Sequence, residues 1–354
     1  MRAGIIDGEV NDLWQVAHDS GELTSAVASY DITGLEGDTD IEYKLICRFI
    51  DDTTVGDYKL TFNTDTGNNY GYQDIKGIDA TASAVRDTSE AYWHIGQTST
   101  DDYICFSETS IFSKSGVVRT GISTYAYDIT GTTVTGIIKR GHSWNNTADE
   151  ITQMVITAGA DNINIGSRII LLKKVHNDGM KTGTLTPNKI EGAWERIYSN
   201  TLTSSASSTT ISGLTGNTDV LYKLIVRGID DTTVGVWKLL LNNDSTNIYG
   251  SQVLSGINST VAASRATPSC AIIGNTATDD DITMSETLIY AKSGFERTML
   301  TSMSASIATT TVTGQYLYGQ VYNDTSTEIT SMVITPTADN MNICTSVELY
   351  RLNL

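Results

Sequence analysis

Proline is nearly missing from this 354-residue chain, with three in all, and only four cysteines and four histidines are present. Cysteines 47, 105, 270 and 344 sit far apart, with no C-x-x-C and no histidine at ligand spacing, so they read as small apolar residues of a reduced protein. Sequence alone leaves a disulfide between two of them open. Charged residues make up 18%, against about 25% in an ordinary soluble protein, which argues against long charged helices. Cationic surplus is also lacking: 23 Lys and Arg against 41 Asp and Glu give a net charge of −18. Such a surface repels phosphate backbones and anionic headgroups, which excludes nucleic acid and membrane surfaces as expected partners. No apolar run approaches the length of a membrane span, and the first residues hold no apolar core of signal-peptide length. The expectation is a protein made in the cytoplasm.

What is present is a duplication. Tyr43-Lys44-Leu45-Ile46 returns as Tyr222-Lys223-Leu224-Ile225, and Ile50 to Gly56 returns unchanged as Ile229 to Gly235. Ser107-Glu108-Thr109 returns as Ser285-Glu286-Thr287, and Met154-Val155-Ile156-Thr157 as Met332-Val333-Ile334-Thr335. The unit is far longer than a solenoid repeat, so these are whole domains in tandem. The chain divides into an N-terminal arm (1–13), a first domain (14–175), a polar Gly/Pro-punctuated linker (176–193) and a second domain (194–354). Each domain is expected to fold alone.

Within a copy the apolar period is two. Tyr43, Leu45, Cys47 and Phe49 share one face of a strand, as do Tyr222, Leu224 and Val226. Clusters such as Asp51-Asp52-Thr53-Thr54 and Ala160-Asp161-Asn162 punctuate short β-branched runs, and no helical periodicity lasts three turns. The fold class is therefore all-β: two tandem antiparallel β-sandwich, jelly-roll-like domains of around eight half-buried strands each. Trp14, Trp194 and Trp237 read as core, and Trp93 and Trp144 are less clearly placed.

Chemistry-bearing patterns are few. His18, His94, His142 and His176 lie in no nucleophile or metal motif and read as packed or surface residues. Glu108 and Glu286 are the repeated carboxylates that a glycosidase pair would need, although period two alone places one acid outward on each strand. Asp51, Asp52, Asp230 and Asp231 are candidate Ca²⁺ ligands in the repeated turn, as are Asp65 and the run Asp279-Asp280-Asp281. The competing reading of that turn is structural, with Asp51 and Asp52 accepting backbone N–H bonds and Gly56 at positive φ. No cofactor is otherwise expected. Aromatic residues beside polar loops leave room for glycan binding.

The stretch Phe62-Asn63-Thr64-Asp65…Asn69-Tyr70 and its partner Leu241-Asn242-Asn243-Asp244…Ile248-Tyr249 resemble a repeat family of tailed-bacteriophage virion proteins. There an opening Trp strand, a Tyr-x-Leu strand and an "F-N-x-D…N-Y" hairpin precede a closing strand pair. Here the closing pair is Ile151 to Ile156 with Gly166 to Leu171, and Ile329 to Ile334 with Cys344 to Tyr350. Copy one has Leu171-Leu172-Lys173 where Leu-Tyr is usual, and copy two has Cys344-Thr345 for Gly-Ser. The resemblance covers both copies and implies a non-enzymatic structural role in the virion, as capsid decoration, head fibre or tail component. Major capsid or tail proteins would be the partners. Sparse edge-blocking proline adds the expectation of a homo-oligomer, a trimer first, with the arm as tether. The alternative is a receptor- or glycan-binding adhesin of the tail or baseplate.

Overall fold

The computed structural model describes residues 13–53, 56–175, 193–231, 235–276, 280–308, 311–338 and 340–354. The expected arm, apart from residue 13, and the linker, apart from residue 193, lie outside the described residues.

The first copy runs through β1 (Leu13–Glu22), β2 (Ser29–Thr33), β3 (Glu42–Ile50), β4 (Gly56–Phe62), β5 (Tyr70–Ile78) and β6 (Thr81–Glu90). It continues through β7 (Trp93–Thr98), β8 (Ile104–Phe112), β9 (Arg119–Thr130), β10 (Thr133–Trp144), β11 (Gln153–Ala158) and β12 (Arg168–Val175). The second begins with β13 (Trp194–Thr201), β14 (Thr209–Ser212), β15 (Leu221–Ile229), β16 (Val236–Leu241), β17 (Tyr249–Ile257) and β18 (Thr260–Ala266). It ends with β19 (Ala271–Asn275), β20 (Ile282–Tyr290), β21 (Arg297–Ala308), β22 (Thr311–Tyr322), β23 (Ser331–Pro336) and β24 (Ser346–Leu352).

Each copy is an antiparallel sandwich of an eight-stranded sheet, β1-β12-β3-β8-β9-β10-β5-β6, and a four-stranded one, β2-β11-β4-β7, with the same order repeated in copy two. The pairs β1/β12, β2/β11, β3/β8 and β4/β7 nest inside one another, which is the rolled-up strand order of a jelly roll. The hairpins β5–β6 and β9–β10 are additions that widen one sheet by four strands. Eight strands per copy were expected and twelve are present. The four extra strands include β6, exposed on both faces with sequence TASAVRDTSE, so no apolar alternation betrays it.

The inner faces make the two sandwich cores. Tyr43, Leu45, Cys47 and Phe49 all enter the first, and Tyr222, Leu224 and Val226 the second. Trp93 and Trp144 are fully buried there, with Phe62 edge-on to Trp93 at 4.8 Å. Trp237 is core as expected, whereas Trp14 and Trp194 are only half-buried. All four cysteines are free, three of them buried and Cys344 exposed. Among the described residues no helix is long and apolar enough to cross a membrane.

A third apolar layer joins the copies. Ile46, Phe106, Ala126 and Ile170 on the outer face of one large sheet pack with Leu221, Leu288, Leu300 and Val321 on the other. This is why β3 is buried on both faces toward its end, where period two foresees a half-buried strand. Strands β5, β6, β9 and β10 touch their own counterparts β17, β18, β21 and β22. The Gly131 turn of β9–β10 meets Glu296, at the opposite end of copy two, so the sheets face each other antiparallel, close to a twofold relation.

Candidate functional site at the seam between the copies

The outer-face positions of β3 and β8 alternate with core positions, and register puts Ile46 beside Glu108 and Lys44 beside Ser110. Lys44 thereby reaches Glu108 diagonally, Nζ to Oε1 at 2.5 Å, and Lys223 reaches Glu286 in copy two at 3.4 Å. Each ammonium also lies over a tryptophan, Lys44 over Trp14 at 5.7 Å and Lys223 over Trp194 at 4.8 Å. Burial works against the charge of Lys44, but Glu108, backed by Glu286 and Glu42, holds its pKa above the usual lysine value. Glu108 and Glu286 line one cavity of about 420 Å³ together with Thr124, Met284, Leu300 and Leu317.

The repeated carboxylates thus do meet in space, at the seam. The arrangement can join two surfaces through paired charges.

One end of the seam is tightly shut. The Arg48 guanidinium lies over the Phe295 ring at 4.1 Å and the Tyr290 ring at 5.2 Å, and Arg48 Nη1 donates to the Gly166 carbonyl at 3.1 Å. Glu22 accepts from Tyr290 Oη at 3.1 Å and from Lys292 Nζ at 2.8 Å. Gly131 N–H donates to Glu296 at 3.3 Å, and the Thr132 carbonyl rests on Gly250, where a Cβ would collide with it. Burial pushes the Tyr290 hydroxyl up to about 12, so it stays a donor. Sequence reasoning missed Arg48, Tyr290 and Phe295. The available signal was that Ile46 and Ile50, on the outward face of β3, are as apolar as its inward face.

Most of the candidate calcium ligands have protein partners, while Asp51 Oδ2 is buried without a hydrogen bond among the described residues. Asp51 is 1% exposed, and burial pushes its carboxyl up to about 6 against a hydrogen bond from Thr98. Its counterpart Asp230 is buried and accepts from Trp237 Nε1 at 2.9 Å. Asp52 accepts from Asn162 Nδ2 at 2.9 Å, and Asp231 from Ser205 Oγ at 3.0 Å. Asp65 accepts from Gly67 N and Trp144 Nε1, both at 2.9 Å. Asp280 accepts from Asn342 at 3.0 Å, while Asp279 is outside the described residues. Among the described residues no three His, Cys, Asp or Glu side chains gather as metal ligands would. The expected positive φ at Gly56 is corrected: Gly56 opens β4, and positive φ falls instead at pairs such as Asn63-Thr64 and Asn242-Asn243.

Of the histidines, His142 is buried, stacked on Trp93, and linked to Ser123 Oγ at 2.9 Å, which in turn meets Thr109 at 2.8 Å. In copy two Gln320 takes its place, donating to Thr301, so this is a repeated structural chain rather than a nucleophile and base. His18 meets Tyr30 at 2.8 Å, His94 lies 3.3 Å from Asp57, and His176 is outside the described residues. A separate polar groove of about 460 Å³ in copy one is lined by Asn68, Asn69, Tyr72, Gln73, Arg86 and His142.

No family model matches the chain, and no curated protein matches it. Among solved structures, the exo-inulinase from Aspergillus awamori aligns at 8% identity and TM-score 0.27 over 80% of this chain. The chain spans 65% of that enzyme's length. The PBSX exported protein XepA aligns at 8% identity and TM-score 0.18, over 96% of this chain and 86% of that one. The tesB protein of Mycobacterium avium subs paratuberculosis aligns at 5% identity and TM-score 0.16, over 73% and 80%. At such TM-scores none of these likenesses carries an argument about fold or function.

Proposed function

We propose that the chain is a non-enzymatic structural protein of a tailed-virus particle, of the capsid decoration or head-fibre type, assembling as a homo-oligomer on major capsid or tail proteins. The observation that supports this reading best is the fate of the repeated carboxylates. Glu108 and Glu286 are both ion-paired with lysines where the copies join, so the duplication has kept them at a joint. The resemblance of both copies to a virion repeat family points the same way. Mass spectrometry of purified particles should find the chain at a fixed ratio to the major capsid protein. Its absence from particles, or turnover of a polysaccharide by the purified chain, would sink the reading.

The polar groove of Tyr72, Arg86 and the asparagines favours a second reading, a glycan-binding adhesin, since a ring and amide donors suit sugar hydroxyls. Glycan-array binding lost in Tyr72→Ala would favour it over the first.

A further inference from the structure

The two ends of the seam are built from equivalent residues, yet only one is shut. At the other end Arg227 stands for Arg48, Phe112 for Tyr290, Val117 for Phe295, Cys344 for Gly166, Thr201 for Glu22 and Met284 for Phe106. Arg227 donates to the Cys344 carbonyl at 3.0 Å, as Arg48 does to that of Gly166. There the likeness stops: Phe112 is 38% exposed, Val117 51% and Met284 50%, whereas Phe106 is 0% and Tyr290 1%.

The differences between the ends come as matched pairs. At the shut end Gly166 sits at positive φ, and an added Cβ would also stand 2.6 Å from the Phe295 ring. At the open end position 344 gains a side chain, Cys, and position 117 loses the ring, becoming Val. Likewise the hydrogen bond from Tyr290 to Glu22 loses both partners together, its hydroxyl in Phe112 and its carboxylate in Thr201. What the open end keeps is the Arg227 anchor on the Cys344 carbonyl and apolar side chains at the positions of Tyr290, Phe295 and Phe106.

We propose that the two jelly rolls form a clamp whose second end also closes, bringing Val117 and Phe112 of copy one onto Cys344 and Arg227 of copy two. Closing buries the exposed Phe112, Val117 and Met284, and it completes the twofold relation that the shut end begins. The open arrangement keeps these apolar groups in water and is one of two states of the chain. The inference is independent of the virion reading.

Cys344 makes the test direct, because it is the exposed one among four free cysteines. The full chain carrying Val117→Cys is incubated with oxidised glutathione and examined on non-reducing gels and by peptide mass spectrometry. As a reference, Ile165→Cys puts an equally exposed thiol, at 56%, beside the shut end. The expected result is an intrachain 117–344 disulfide in the monomer, formed about tenfold faster than any 165–344 link, and lost when Cys344→Ser is added. No disulfide, equal rates for the two variants, or disulfide-linked dimers alone would overturn the proposal. The last outcome would mean that the two surfaces meet between molecules instead. Because Val117 is a surface residue, the substitution leaves the fold intact, which circular dichroism checks.

Discussion

Gly228 lies against the indole of Trp237: a Cβ built at Gly228 would stand 2.7 Å from the ring. In copy one the equivalent residues are Phe49 and Tyr58, stacked at 4.0 Å. The copies thus fill the same space with a ring and a ring, or with a larger ring and nothing. Gly228→Ala is expected to cost about 1–3 kcal/mol by overpacking, read as a lower midpoint in urea at unchanged slope. Gly228→Phe combined with Trp237→Tyr should be less destabilised than Gly228→Phe alone, since the pair restores the arrangement of copy one. A double variant no better than the single one would remove this account.

Asp51 supplies a pH prediction. Its folded pKa, about 6, lies above that of an unfolded aspartate, so between about pH 4 and pH 6 the unfolded chain has released a proton that the folded chain retains. Stability contributed by this group therefore falls as pH rises through that window and is lowest above it. Asp51→Asn should raise stability at pH 8, by on the order of 2 kcal/mol, and leave it almost unchanged at pH 4. A calcium site predicts the reverse, with calcium raising the melting temperature of the wild type and Asp51→Asn lowering it.

His142 has the opposite sign. Burial, with Arg140 and His94 nearby, holds its pKa well below the usual histidine value. Above about pH 6.5 it is neutral in both states, and below that the unfolded chain alone takes up the proton. Stability should fall as pH drops below 6.5, and His142→Gln, the residue copy two uses, should flatten that fall. Identical pH profiles for the two proteins between pH 5 and 7 would contradict the buried neutral ring.

The ion pair at the seam gives a charge-reversal test. Lys44→Glu faces Glu108 with a like charge in a half-buried site and should cost about 1–3 kcal/mol in unfolding free energy. Adding Glu108→Lys should recover much of that loss. If the double variant were as unstable as the single one, the pair would not be what holds these residues together.

Residues 14–175 expressed alone keep their own sandwich core but lose the cover over Ile46, Phe106, Ala126 and Ile170. This fragment should unfold cooperatively with a β-type spectrum, and it should associate at concentrations where the full chain does not, because an apolar sheet face is laid open. A monomeric fragment as stable as the full chain would show that the seam contributes little.

Much of the fold is written in local pattern. The duplication is visible as repeated words, and the inward face of β3 follows from alternation alone, because a strand's side chains switch faces at every residue. Alternation states that a strand has two faces and is silent on what covers the second. Thus the outward residues Ile46 and Arg48 showed no purpose until the other copy lay over them. For the same reason β6, polar and small on both sides, left no trace in the pattern. Trp14 and Trp93 both sit in strands, and only the packing decided that Trp93 is core while Trp14 half-covers a lysine. Glu108 and Glu286 could be recognised as a repeated pair, but their meeting in one cavity depends on how the two sheets face each other. Short-range sequence sets which residues share a face; tertiary packing alone brings together two faces that lie half the chain apart.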